Sequence, residues 1–214
     1  MRRVVMVLAL LALPMAAWAD TITFDNQFGT VSMSNAGISS KGLELLEVAF
    51  LPGTTITAGP GHALGSISYS TGALLTGSLA TGGTFSSTGS TFDITGMGTW
   101  AKELTGSKGP VSLFAGSFEG TIDWTFDGKS GQKSFYTLSG EIVGTLYNGR
   151  VVTGYTTQNI TVLNAHQGQQ GIGHSTMGST SMSVPEPCLL YTSKRYISRQ
   201  TQRRPLIMPV ILEI

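Results

Sequence analysis

The sequence predicts an all-β protein, a single antiparallel β-sandwich or flattened barrel with a C-terminal meander. Two observations predict this fold. Gly, Ser and Thr make up 36% of the 214 residues, whereas charged residues make up 12%, and this composition suits strands and turns better than helices. Apolar residues also recur at every second position over long stretches, which is the period of a strand with one buried face.

The first 19 residues have the three parts of a secretion signal. A cationic start is followed by an unbroken apolar run at residues 4–13, and Ala17-Trp18-Ala19 fits the small-x-small rule for cleavage. The apolar run is too short to span a bilayer comfortably. We therefore predict that residues 1–19 are a signal peptide, that signal peptidase cuts before Asp20, and that the protein is exported.

Eight short strands are predicted in the first part of the body, separated by Gly-rich turns. Residues 43–50 also fit a helical period, so one or two helical turns are an alternative there. Many short strands at fairly even spacing favour a sandwich or a barrel. The predicted strands cover residues 21–25, 30–34, 43–50, 65–70, 73–79, 84–87, 91–95 and 99–103.

The meander is the clearest part of the pattern. Every second residue from Phe114 to Phe126 is apolar or Gly, a second strand ends near Leu146, and residues 150–162 form the returning strand after a turn at Asn148-Gly149. No Gly or Pro cluster divides the body, so residues 20–164 are predicted to form one domain. The predicted core of the meander comprises Phe114, Phe118, Ile122, Trp124, Leu138, Ile142 and Leu146.

Charge and motif content argue against several classes of function. Between Asp20 and Pro187 there are 6 basic and 11 acidic residues, a net charge of −5, which does not suit a nucleic-acid partner. The histidines lack metal-ligand spacing, and no phosphate-binding or dinucleotide fingerprint is present. Cys188 is the single cysteine, so no internal disulfide forms. No metal site, cofactor or catalytic residue is predicted.

Carboxylates on one strand face are the residues that a hydrolase would use. Glu119 and Asp123 share the polar face of the first meander strand, and Glu141 is expected opposite on the next strand. Residues four apart on a regular strand lie about 13 Å apart, too far for a glycosidase pair. A solvated polar face is therefore the preferred interpretation, and a hydrolase is the third candidate function.

Exposed aromatic rings would be the simplest sugar-binding device, because ring faces stack on apolar sugar faces. Trp100, Tyr147 and Tyr155 are the candidates for sugar stacking, together with Tyr69. The alternative is that these rings belong to the core or to cross-strand pairs. Trp124 is excluded because it lies on the apolar face.

A polar segment and a short motif follow the predicted domain. Residues 165–183 show no apolar period and are rich in Gly, Gln and Ser, which predicts a flexible spacer. The spacer ends at Val184-Pro185-Glu186-Pro187. With the leader and the Gly/Ser/Thr-rich body, which carries Gly82-Gly83-Thr84-Phe85, this motif resembles the PEP-CTERM proteins of Gram-negative bacteria.

The resemblance implies a function and partners. In that family the motif, here Val184, Pro185, Glu186 and Pro187, is recognised by exosortase, a membrane enzyme thought to cleave at it, and the proteins are associated with exopolysaccharide and biofilm. The resemblance therefore implies a non-enzymatic protein of the periplasm, the outer surface or the extracellular matrix. The alternative is a secreted carbohydrate-binding module.

The sequence departs from the family after Pro187. Charges at Lys194 and Arg195 interrupt the chain where a membrane helix and a basic tail are expected. Residues 188–193 match the translation of a transposase mosaic end used in preparing sequencing libraries. Residues 188–214 are therefore predicted to be a non-native tail that replaces the membrane helix, with a genuine basic peripheral anchor as the alternative.

Overall fold

The computed structural model describes residues 20–51, 53–107, 109–163 and 171–184. These residues form twelve strands and one short helix. In chain order they are β1 (Asp20–Gln27), β2 (Thr30–Ser34), β3 (Gly37–Leu51), β4 (Thr55–Thr57), β5 (Gly65–Ser70), β6 (Leu74–Ser78), β7 (Gly82–Ser86), β8 (Thr91–Gly96), α1 (Gly98–Thr105), β9 (Val111–Ser130), β10 (Lys133–Leu146), β11 (Val151–Leu163) and β12 (Gly171–Val184).

Eight of the strands close into an antiparallel barrel. The order around the ring is β1, β3, β5, β8, β9, β10, β11 and β12, and β12 pairs with β1 to complete it. The other strands extend the ring: β2 continues the line of β1 between β12 and β3, β4 pairs with β3, and β7 joins β6 to the second half of β9. The predicted all-β class is confirmed, and closure of the ring selects the barrel.

The meander packs the barrel interior as predicted. All seven residues predicted for its core are buried, and β9, β10 and β11 pair in sequence order. The Trp124 and Tyr136 rings stack with centroids 4.5 Å apart. Trp124 Nε1 donates to the Leu79 carbonyl and the Tyr136 hydroxyl donates to the Ala80 carbonyl, both at 3.1 Å. The two rings thus tie the β6–β7 hairpin to the barrel.

One sector of the interior is polar, where β1, β12 and β11 lie side by side. The side-chain amides of Asn26 and Gln158 exchange two hydrogen bonds of 3.0 and 3.2 Å. Gln158 Nε2 also donates to Thr156 Oγ1 at 3.0 Å, and the hydroxyls of Thr156 and Thr180 share a bond of 2.8 Å. All four side chains are fully buried, so the network satisfies groups that burial would otherwise destabilise.

The prediction of a flexible spacer at residues 165–183 is wrong for residues 171–183, and this polar sector explains why. Residues 171–184 are β12, which lies between β1 and β11, and the β domain therefore extends to Val184 rather than ending at residue 164. Among the inward positions of β12, Gly178 faces Asn26 and Gln158, and Thr180 bonds to Thr156. Only Met182 and Val184 on the inward face join the hydrophobic core, whereas Ile172 and Met177 point outward, so no sustained hydrophobic period reveals the strand. Residues 165–170 lie outside the described residues.

Two predictions for the first part of the domain also need correction. Residues 43–50 belong to the 15-residue strand β3, which excludes the helical alternative. Residues 99–103, predicted as a strand, lie within helix α1. Ala101 is buried and Trp100 and Leu104 pack against the core, a spacing that one face of a helix provides. The helix ends at Gly106, whose left-handed backbone donates to the Lys102 carbonyl.

A bulge interrupts the alternation of β9 at Gly120. Glu119 pairs with Glu141 and Asp123 pairs with Ser139, so four steps along β9 match two steps along β10. Gly120 has a φ of 71° and is exposed, whereas the period-two pattern predicts it on the buried face. Because of the bulge, Glu119 and Asp123 face Glu141 and Ser139, two β10 residues that are only about 7 Å apart. In a regular pairing, residues four apart on β9 would face β10 residues about 13 Å apart.

Replacing Gly120 by alanine is expected to destabilise the protein by about 1–2 kcal/mol through backbone strain alone, because an added Cβ would meet no atom within 4 Å. Gly59→Ala is the matched control, since that position is also open but does not have a left-handed φ, and it should be neutral or slightly stabilising. Urea unfolding of both variants measures the difference. Equal stability of the two variants would contradict the assignment of strain to the bulge.

Candidate ligand-binding face of the barrel

A row of polar and aromatic residues crosses four neighbouring strands on the outside of the barrel. Glu119 on β9 lies directly opposite Glu141 on β10, Glu141 opposite Tyr155 on β11, and Tyr155 opposite Ser181 on β12. All four side chains are exposed. The predicted placement of Glu141 opposite Glu119 is confirmed, and the pairing also places an exposed aromatic ring beside them.

These residues line a shallow groove of about 410 Å³. Its lining also includes the hydroxyl-bearing residues Thr153 and Ser183, which come from the next row of the same outer face. Tyr155 is 48% exposed, so a large part of the ring is available to a ligand. The groove therefore combines a ring, two carboxylates and several hydroxyl groups on an open surface.

A second pair of opposed carboxylates lies farther around the same face. Asp25 on β1 is directly opposite Glu47 on β3, and both line a groove of about 450 Å³. Glu47 accepts a hydrogen bond of 3.4 Å from the Thr57 hydroxyl, whereas Asp25 Oδ1 is buried with no hydrogen-bond partner among the described residues. The sequence does not indicate this pair, because only the register of β1 against β3 brings the two residues together.

Two of the predicted sugar-stacking rings are packing residues instead. Trp100 is only partly exposed, donates its indole N–H to the Leu64 carbonyl at 3.1 Å and packs against the core. Tyr69 is 2% exposed, lies 6.2 Å from the Phe92 ring, and its burial raises the pKa of its phenol. The prediction is wrong for both, because each is needed to fill space: Trp100 from helix α1, and Tyr69 within the barrel.

Tyr147 remains a candidate at one end of the barrel. It is 36% exposed, lies in the β10–β11 loop, and lines a groove of about 210 Å³ together with Asp20, Leu51, Arg150 and Val184. This groove has little hydroxyl lining and one carboxylate, so it is chemically simpler than the groove beside Tyr155.

The described strands begin and end next to the two predicted processing sites. Asp20, the first residue after the predicted cut, is the first residue of β1 and lies opposite Val184, the last residue of β12. Val184 is 5% exposed. The other residues of these two sites, Ala17, Ala19, Pro185, Glu186 and Pro187, and the tail at 188–214, lie outside the described residues.

Within the described ranges, no group of three or more His, Cys, Asp or Glu side chains could hold a metal ion. No helix in this part of the chain is long and apolar enough to cross a membrane.

Fold and surface together define the class of protein: a closed eight-stranded antiparallel β-barrel with a hydroxyl-rich outer face that carries two carboxylate pairs and an exposed tyrosine. No protein-family model, curated protein or solved structure matches this chain.

Proposed function

We propose that this chain is an exported, non-enzymatic protein of the cell surface or the extracellular matrix, recognised by exosortase through residues 184–187 and associated with exopolysaccharide. The observation that carries the proposal is where the barrel begins and ends. Its first strand starts at Asp20 and its last strand ends at Val184. Cleavage before Asp20 or after Val184 would therefore remove no residue of these two strands.

A non-enzymatic role is favoured over hydrolysis by the surroundings of the carboxylates. Glu119 and Glu141 are opposed on adjacent strands, where Cβ atoms are about 5 Å apart, so distance alone does not argue against a retaining glycosidase. Such an enzyme, however, gives its two carboxylates different environments, so that one is the acid and the other the nucleophile. Both of these side chains are exposed on an open face, which offers no such difference.

Export is tested by expressing the chain with its leader in a Gram-negative host and sequencing the N-terminus of the exported protein. We expect Asp20 as the first residue, because Ala17 and Ala19 are the small residues that signal peptidase requires. Ala19→Arg should abolish cleavage, whereas Trp18→Leu, at the position that the rule leaves open, should not. Recovery of exported protein that still begins at Met1 would contradict the proposal.

A second candidate function is a secreted carbohydrate-binding module, and the groove beside Tyr155 favours it. An exposed ring next to carboxylates and hydroxyl groups offers a stacking face and hydrogen-bonding groups to a sugar. A purified binding module would retain affinity for polysaccharide with no other cellular component, which a matrix protein that works through sorting alone would not.

A further inference from the structure

We propose that the groove beside Tyr155 binds a polysaccharide that carries free amino groups, a polymer of partly or fully deacetylated amino sugars. The inference rests on the second candidate function and names its ligand class. It is carried by three features of the outer face: an uncompensated carboxylate pair, an exposed ring in register with it, and a second carboxylate pair farther along the same surface.

The first feature is the pairing of like charges. Glu119 and Glu141 face each other directly across β9 and β10, an arrangement that is unfavourable by itself. No basic residue lines the groove that they share. Neutral sugars would bring hydroxyl groups, which leave this repulsion in place. An ammonium group between the two carboxylates would remove it, so the charge of the groove is complementary to an amino sugar.

The second feature is the position of Tyr155. The ring lies on the strand next to Glu141 and directly opposite it in register, and nearly half of its surface is exposed. A sugar stacked on the ring would place its substituents beside the carboxylates, and a cationic substituent is also attracted by the face of the ring. Thr153, Ser181 and Ser183 add hydroxyl groups around the same groove.

The third feature is the second carboxylate pair, which makes the surface long enough to contact several units of a polymer. Asp25 lies three strands from Glu141 around the barrel and two residues along β1 from the row of Glu141. At the usual strand and residue spacings this is about 16 Å, and Asp25 is opposed to Glu47. Thr157 and Ser179 connect the two grooves, since each lies two residues from a member of the first row and lines the second groove.

The length of the ligand affects its affinity, because a single exposed ion pair contributes little binding free energy. A polymer that reaches both carboxylate pairs converts the second contact into an intramolecular one and gains affinity by its effective concentration. We therefore expect longer oligomers of the amino sugar to bind more tightly than short ones, until both grooves are occupied.

The test is calorimetric titration of the purified full chain with glucosamine oligomers and with N-acetylglucosamine oligomers of equal length, at a mildly acidic pH where the amines of glucosamine are charged. We expect binding of the amine form only, weakened about tenfold by the double variant Glu119→Gln plus Glu141→Gln. Tyr155→Ala should weaken it about fivefold. Asp93→Asn plus Glu103→Gln is the charge-matched control, because both residues are exposed and neither lines the two grooves, and it should change affinity less than twofold.

Each other outcome overturns a distinct part of the argument. Equal affinity for both oligomers, lost in Tyr155→Ala, would reject the amino-sugar class and retain the carbohydrate-binding function. Affinity for neither oligomer would reject both. Weakening of amine binding by the control variant as much as by the Glu119 and Glu141 double variant would show attraction by net charge alone, and would reject the groove as the site.

Discussion

Replacing Trp124 by alanine is expected to lower the free energy of unfolding by about 3–5 kcal/mol. The side chain is 2% exposed, stacks on Tyr136 with an interplanar angle of 5°, and donates its indole N–H to the Leu79 carbonyl. The truncation would therefore leave a large cavity, remove a ring-to-ring contact and detach the β6–β7 loop from the barrel wall. Urea unfolding followed by circular dichroism measures the loss.

Two further variants separate the contributions at this position. Trp124→Phe should retain most of the apolar contact and lose the hydrogen bond to Leu79, at a cost of about 1–2 kcal/mol. Val151→Ala, at a position that is 64% exposed, should change stability by no more than about 0.5 kcal/mol. A loss below 1 kcal/mol for Trp124→Ala would show that the ring does not hold the place in the core that the fold assigns to it.

Replacing Gln158 by alanine is expected to lower the free energy of unfolding by about 2–3 kcal/mol, although the side chain that it removes is polar. The Asn26 amide would lose both its donated and its accepted hydrogen bond in a fully buried position. Leaving a buried polar group without a partner costs more free energy than a typical hydrogen bond contributes to stability. The expected loss therefore comes mainly from the partner that is left behind.

A double-mutant cycle tests this explanation. Asn26→Ala should cost a similar amount for the same reason, but the double variant should cost clearly less than the sum, because neither amide is then left unpaired. Thr153→Ala, whose side chain points outward on the same strand, is the control and should be close to neutral. Additive losses for Asn26 and Gln158 would contradict the reciprocal pairing.

Only some features of the candidate site can be predicted from the alternation of residues along a strand. Period two places Glu119 and Glu141 on the polar faces of two strands that the hairpin order makes neighbours. Their direct opposition depends on the bulge at Gly120, because the register of Ser139 opposite Asp123 would otherwise place Glu141 opposite Thr121. The bulge cannot be predicted, because a glycine at an alternating position fits a regular strand equally well. Tyr155 joins the pair only through the register of β11 on β10, and Asp25 joins Glu47 only through the register of β1 on β3.

Local alternation is enough to predict the all-β class, the meander and its buried residues, because it specifies which side chains must leave water together. Only the tertiary structure decides that β12 closes the ring, that residues 99–103 are helical, and that Trp100 and Tyr69 are packing residues. For helix α1 and the two rings, the reason is packing against residues elsewhere in the chain, such as Leu64 and Phe92. For β12 the reason is ring closure. Ring closure pairs strands that are distant in sequence, and it creates a polar sector whose hydrogen bonds are supplied by other strands. In this sector the inward residues of β12 are Gly178 and Thr180, which face Asn26, Gln158 and Thr156 from other strands.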